Sequence, residues 1–376
     1  MSAGEGRVKG WWGEVKARRH DNDYRSHYAT LVGMPPPVPP RAVMMPVAAS
    51  SRSRALVAPV AVSGLILCVL ATRALQHGAS VELAAPLRDF VTLALAVFVE
   101  SLPFVILGTL LSVLVQIWIP AHWLDRALPR RPALRRAALS LLGVVLPVCE
   151  CGNVPLARGL LARGFTPAEA VTFLLAAPVL NPVTILTTYH AFGWESGILI
   201  ARVLGGFAIA NLLGWWLSGH PKPEAMLTPS FRASCAHAHE ERGGRVARSA
   251  EAFVSETALL LPALAVGSAL AGAVQVGVPR GVLIALGTHP LWSVLALLAL
   301  AFVVSICSNV DAFFVLSLSS SFLPGSIVAF LLFGAMTDLK MVALLRTTFT
   351  SRTIALLVLL TAGLSAAIGW GVNLVS

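Results

Sequence analysis

The sequence predicts an all-α polytopic membrane protein: two inverted repeats, each with a broken or re-entrant helical hairpin, preceded by an extra N-terminal transmembrane helix. Three observations carry this reading. Of 376 residues, 56% are hydrophobic and only 12% charged, with a mean hydropathy of +0.78; so few charges cannot cover the surface of a soluble chain this long. Several apolar stretches last for about the 20 residues that an α-helix needs to cross the hydrocarbon core. The punctuation of one such stretch also recurs in a second, at identical spacing.

Residues 1–53 are polar or proline-rich, with "PPPVPPR" at Pro35 to Arg41, and are expected to form a disordered cytoplasmic N-terminal segment. The apolar run that follows is too long for a signal peptide and lacks a cleavage site. It is assigned to the extra transmembrane helix, residues 54–76. The first membrane repeat is expected over 88–217, a cytoplasmic basic linker over 218–249, and the second membrane repeat over 250–376.

The net charge of +10 sits in short loops between apolar segments, which is the positive-inside pattern and not a nucleic-acid-binding face. Five cysteines, an odd number mostly at membrane depth, do not read as a disulfide framework. No Gly-rich loop ending in Lys-Ser/Thr is present, so the chain carries no ATPase motor. His122, His190 and His289 fall at expected loops, giving no constellation for catalysis. The reading is of a non-enzyme without cofactors, whose partners are the lipid bilayer and a small-molecule or ion substrate, with room for an accessory membrane protein.

The repeat is specific. "SLPFVILGTLLSVLVQIWIP" carries Pro103, Gly108, Gln116 and Pro120; "LLLPALAVGSALAGAVQVGVP" carries Pro262, Gly267, Gln275 and Pro279. "CGNV" at Cys151 to Val154 answers "CSNV" at Cys307 to Val310, and Asn181 aligns with Asp338. Paired units of this type are common in transporters.

Charge bias orients the two units. Arg126, Arg130, Arg131, Arg135 and Arg136 mark one loop as cytoplasmic, and Lys222, Arg232, Arg242, Arg245 and Arg248 mark another. Three apolar segments lie between these loops, yet only an even number of crossings returns the chain to the same side. A CECGN segment that dips in and returns leaves two. In the second unit the dip at CSN then opens outward, and Lys340, Arg346 and Arg352 fall near the cytoplasm, so the units are inverted, with three crossings and one re-entrant hairpin each.

Backbone that leaves helical geometry at membrane depth is tolerated only where protein buries it or a wet cavity lines it. Gly152, Asn153 and Pro155 break one hairpin, and Ser308 and Asn309 break the other. The candidate transport site is therefore placed at these breaks. Asn153 and Asn309 are expected as N-caps of new half-helices whose positive ends converge on substrate. Cys149, Cys151 and Cys307 are candidate soft ligands for a thiophilic solute, against a reading as small packing residues at a helix crossing. Glu150 and Asp311 are stronger signals, because a carboxylate at helix centre costs about 2.5–3.5 kcal/mol to insert. They are candidates for coupling protons, against a structural pairing with Arg or a backbone N–H. Asn181 and Asp338 complete the set, although Asp338 could simply neutralise Lys340 or Arg346. In the linker, Cys235, His237 and His239 are weak metal candidates in a string that reads as solvated.

The strings "LPVCECGNVPLARGLLARGFTPAEAVTFLLAAPVLNPVTIL" and "SICSNVDAFFVLSLSSSFLPGSIVAFLLFGAMTDLKM" resemble the two signature regions of the predicted-permease family that includes the organoarsenical efflux permease ArsP and the YraQ-like proteins. The resemblance covers about Asp89 to Val375. It implies a secondary transporter of the bacterial cytoplasmic membrane, multi-pass with its N-terminus in the cytoplasm, exporting a small thiophilic or anionic solute such as trivalent organoarsenicals. A methylated trivalent arsenic accepts two thiolates, which fits the three cysteines. Alternatives are a permease for another anion or metal complex, or a membrane scaffold acting with a partner protein.

Overall fold

The computed structural model describes residues 85–120, 126, 128–146, 148–237, 244–277 and 290–375. The expected N-terminal segment and the extra helix at 54–76 lie outside the described residues. Among the described residues every regular element is a helix, apart from one isolated bridge between Leu227 and Phe349.

The first half holds α1 (Ala85–Val113), α2 (Pro132–Val145), α3 (Glu150–Ala162), α4 (Pro167–Leu180), α5 (Pro182–Phe192) and α6 (Ile198–Ser218). After a linker with α7 (Pro229–His237), the second half holds α8 (Arg245–Gly277), α9 (Pro290–Val304), α10 (Asp311–Leu316), α11 (Pro324–Met336), α12 (Leu339–Leu345) and α13 (Ser351–Val375). Each half thus runs long helix, two short pieces, two pieces joined end to end, long helix.

Among the described residues, five helices are long and apolar enough to cross a membrane: Pro86–Trp118, Ile198–Ser218, Arg245–Gly277, Pro324–Leu345 and Ser351–Val375. The pair Pro167–Leu180 and Pro182–Phe192, bent by 40°, makes a sixth. The chain is therefore a multi-pass membrane protein. α2 and α3 in the first half, and α9 and α10 in the second, are each too short to cross alone.

Local chemistry sets several of the ends. Proline opens α2, α4, α5 and α11, where its missing N–H costs no helical bond. α4 adds a capping box: the Thr166 hydroxyl accepts from Glu169 N, and the Glu169 carboxylate accepts from Thr166 N at 2.8 Å. At the far end of α1 the backbone widens into a π-turn, Leu114–Trp118, and Arg163 donates to the carbonyls of Val115 and Ile119.

The core is centred on α4 and α11. Every residue of α4 is buried, and every residue of α11 except Pro324, as expected of helices apolar on all sides. α4 packs on α2, α3 and α6, while α11 packs on α9, α10 and α13, and the two also touch each other. α1 lies along α8 and crosses α3 closely: a Cβ on Gly108 would overlap the Gly152 carbonyl oxygen. Backbone contact of this kind is what small residues permit between membrane helices.

The part of the linker that leads into α7 is held against the membrane helices. Thr228 N donates to Thr348 O and Thr350 N to Met226 O, both at 2.9 Å, pinning it to the turn between α12 and α13. Met226 and Phe231 are buried, and the Arg158 guanidinium lies 4.6 Å over the Phe231 ring. Arg158, from α3, also pairs with Glu256 of α8 at 2.5 Å. A short apolar pair inside a polar string is enough to dock it.

Candidate functional site

The breaks before α3 and α10 are built alike. The Cys149 carbonyl accepts from the amides of Gly152 and Asn153, both at 3.1 Å; the Cys307 carbonyl accepts from Val310 and Asp311 at 3.0 and 3.1 Å. Each cysteine is thus the acceptor of a first helical turn. By this hydrogen-bond pattern Cys149, rather than the sequence-aligned Cys151, is the counterpart of Cys307.

The expected asparagine caps are corrected by this geometry. α3 starts earlier, with Cys149 as N-cap in extended geometry (φ −75°, ψ 177°) and Glu150 as its first residue, where a carboxylate suits the helix N-terminus. Asn153 lies inside α3, and Pro155 is also an interior residue of that helix. α10 has Val310 as its N-cap, not Asn309. Near the breaks, the caps made by side chains are Asn181 and Asp338. Asn181 Oδ1 accepts from Val183 N at 2.9 Å to open α5, and Asp338 Oδ1 accepts from Met341 N at 2.6 Å to open α12. The aligned pair therefore does the same job in the two halves.

Glu150 is the centre of the assembly. One carboxylate oxygen accepts from Ser308 Oγ at 3.0 Å and Ser308 N at 3.4 Å, and the Cys307 sulfur lies 3.9 Å from it. The other oxygen faces Lys340 Nζ at 3.0 Å. Lys340 is shared: Asp338 Oδ2 lies at 3.6 Å, and the ammonium donates to Ser305 O at 3.1 Å. Ser305 holds φ 52°, the only non-glycine with positive φ among the described residues. Such backbone strain persists where its surroundings over-determine it, often at functional sites.

Lys340 thus departs from the expectation that it flanks the membrane beside Arg346 and Arg352: its side chain is 1% exposed. The alternative that Asp338 neutralises Lys340 holds in part, because Glu150 is the closer acid.

Asp311 is engaged elsewhere. Arg202 of α6 grips both its oxygens at 2.9 and 2.6 Å, and donates to Thr188 Oγ1 at 2.8 Å. Asn309 Oδ1 accepts from Thr184 Oγ1 at 3.2 Å, which ties the second break to α5. Both ion pairs cross between the halves. The buried set of Glu150, Asp338, Asp311, Lys340 and Arg202 holds three acids and two bases.

The sulfur chemistry converges on the same point. One ligand atom each from Cys149, Glu150 and Cys307 lie within 4.8 Å of one another, all three residues buried. Cys151 is buried on the first turn of α3 but is not a member of that group. Gly152 supplies the close crossing with α1, and Asn153 is fully buried with neither side-chain nitrogen nor oxygen paired. The linker does not assemble a comparable group among the described residues: Cys235 is half-buried, while the side chain of His237 and all of His239 lie outside them.

Arg202 was the residue that sequence reasoning missed. Its signal was available: a lone arginine in the apolar run "ILIARVLGGFAIANLL" calls for a partner inside the helix bundle.

The sequence profile of the predicted permease family matches residues 86–373. The chain is 33% identical to the UPF0718 protein YcgR of Bacillus subtilis over 268 residues, covering 70% of this chain and 90% of that one. It is 30% identical over 260 residues to a protein of Streptococcus mutans described as a putative two-component membrane permease complex subunit, covering 69% and 86% respectively. A shorter match, 30% over 149 residues, links it to the UPF0718 protein YraQ of Escherichia coli, covering 38% of this chain and 42% of that one. No solved structure matches. With the family profile spanning all the membrane helices described above, the chain belongs to the predicted permease family.

Proposed function

We propose that this permease is a secondary transporter of the bacterial cytoplasmic membrane that exports a small thiophilic solute, with trivalent organoarsenicals as the reference substrate. The observation that carries the proposal is the convergence of Cys149 and Cys307, one from each half, beside Glu150. A methylated trivalent arsenic accepts two thiolates, and a pair contributed by two halves can be assembled and separated as the halves rock. The halves act as inverted repeats, which the paired breaks and the cytoplasmic charge bias support, with the N-terminus in the cytoplasm. An accessory membrane protein is part of the proposal, by analogy with the Streptococcus mutans relative's description.

Charge coupling falls to Glu150, Asp338 and Lys340, which hold two carboxylates against one ammonium. Asp311 has a bidentate arginine instead and serves as a fixed latch. An anion-permease reading, with the helix ends as the binding groups, is less favoured. Glu150 and Asp311 already occupy the first positions of α3 and α10, and Ser308 N–H is directed at Glu150.

The test is accumulation of methylated trivalent arsenic in cells with and without the protein, beside a version in which Cys149, Cys151 and Cys307 are serine. Lower accumulation that depends on those cysteines supports thiol-based export. Equal accumulation in all three removes the arsenical reading.

A further inference from the structure

We infer that Cys149, Glu150 and Cys307 form a binding site for a divalent d10 metal ion, such as Zn2+ or Cd2+, at the junction of the two halves. The inference deepens the permease reading and rests on it for the purpose of the bound ion, since it names a substrate class for the same site.

Geometry comes first. Tetrahedral zinc with Zn–S of about 2.3 Å and Zn–O of about 2.1 Å holds its ligand atoms roughly 3.6–3.8 Å apart. The Cys307 sulfur and Glu150 carboxylate oxygen stand at 3.9 Å, and all three ligand atoms fall within 4.8 Å of one another. Closing the set onto an ion needs shifts of about 1 Å or less. Three protein ligands leave a fourth position open, as in sites that exchange what they hold.

The surroundings support ligation. The Glu150 oxygen nearest Cys307 is also held by Ser308 Oγ, and its other oxygen faces Lys340; outer contacts of this kind fix a ligand's orientation. One turn further along α3 the fully buried Asn153 carboxamide is unpaired at both ends. Unsatisfied polar atoms at full burial are rare and call for an explanation, an absent ion among them.

Charge also balances. With both thiols protonated, Glu150, Asp338 and Lys340 sum to one negative charge. Binding M2+ with loss of one proton from each thiol gives a bis-thiolate complex and two released protons, leaving the cluster at the same net charge. No electron is transferred. A buried site that exchanges one divalent ion for two protons avoids placing new net charge in a low-dielectric interior.

The test uses the full-length chain purified in detergent, with Cys68 and Cys235 changed to serine, and Cd2+ alone as the probe. Equilibrium dialysis gives stoichiometry, and the ultraviolet thiolate-to-cadmium charge-transfer band reports the ligands. One Cd2+ per chain is expected, with at least tenfold weaker binding and loss of the band in Cys149→Ser or Cys307→Ser, and little change in Cys151→Ser. If the serine variants fail to fold, Cd2+ protection of Cys149 and Cys307 from maleimide in the unaltered site replaces them, and protection is expected. Absence of bound Cd2+, binding that survives the combined Cys149→Ser and Cys307→Ser change, or no protection overturns the inference. Arsenical export without Cd2+ binding overturns this inference alone. Cd2+ binding without any arsenical export removes the arsenical reading and leaves the metal site in place.

Discussion

Lys340 and Glu150, one from each half of the chain, stand 3.0 Å apart with 1% of either side chain exposed. Removing one partner of such a pair leaves an uncompensated buried charge, which typically costs about 3–5 kcal/mol. Lys340→Met is expected to lower thermal stability in detergent by that order. Glu150→Gln in the same chain should recover part of the loss, the remainder reflecting Asp338, which shares the ammonium. Additive losses in the double variant would show that the two residues do not interact.

The Arg202–Asp311 pair gives a cleaner cycle, because among the described residues Arg202 alone pairs with Asp311. Arg202→Leu is expected to cost on the order of 3–5 kcal/mol, and Arg202→Leu with Asp311→Leu should be more stable than either single change. Unfolding of the four proteins under one set of conditions measures the coupling.

The crossing of α1 and α3 depends on the absence of a side chain at Gly108. Gly108→Ala must push the helices apart or shift the Gly152 backbone, an overpacking cost of about 1–3 kcal/mol. The equivalent change at Gly363, where a Cβ meets nothing within 4 Å, should be nearly neutral. Midpoints of thermal aggregation compare the two.

Docking of the linker predicts a pH effect at Cys235, which lies outside the membrane helices. Burial pushes its thiol above the ordinary range, with the Arg158 guanidinium opposing that shift. Thiolate is the reactive form, so alkylation at neutral pH should be slow and rise only at alkaline pH. Phe231→Ala, which uncovers this region, should move the alkylation profile to lower pH. An unchanged profile would mean that the linker does not cover the thiol.

Much of this organisation was legible in the residues themselves. Pro103 and Pro262 each lie inside a long helix, and the aligned Asn181 and Asp338 each cap a short one, α5 and α12, through a side-chain oxygen. What the sequence hid was pairing across the halves. Nothing local in "TDLKM" separates a flanking lysine from a buried one, since the difference is made by Glu150, 190 residues earlier in the chain. The asparagine caps were misplaced for a related reason: a carboxylate favours a helix N-terminus, so α3 begins at Glu150 and carries Asn153 into its first turns.

The central claim is that the two halves meet through Cys149 and Cys307. The most direct test uses a chain whose only cysteines are these two, with a protease site in the linker between α7 and α8, treated in membranes with dibromobimane, which fluoresces once it bridges two thiols. The account predicts fluorescence and a full-length band that survives cleavage of the linker, both lost in either single-cysteine version. Separate halves and no fluorescence, in protein that is otherwise folded and inserted, would contradict it.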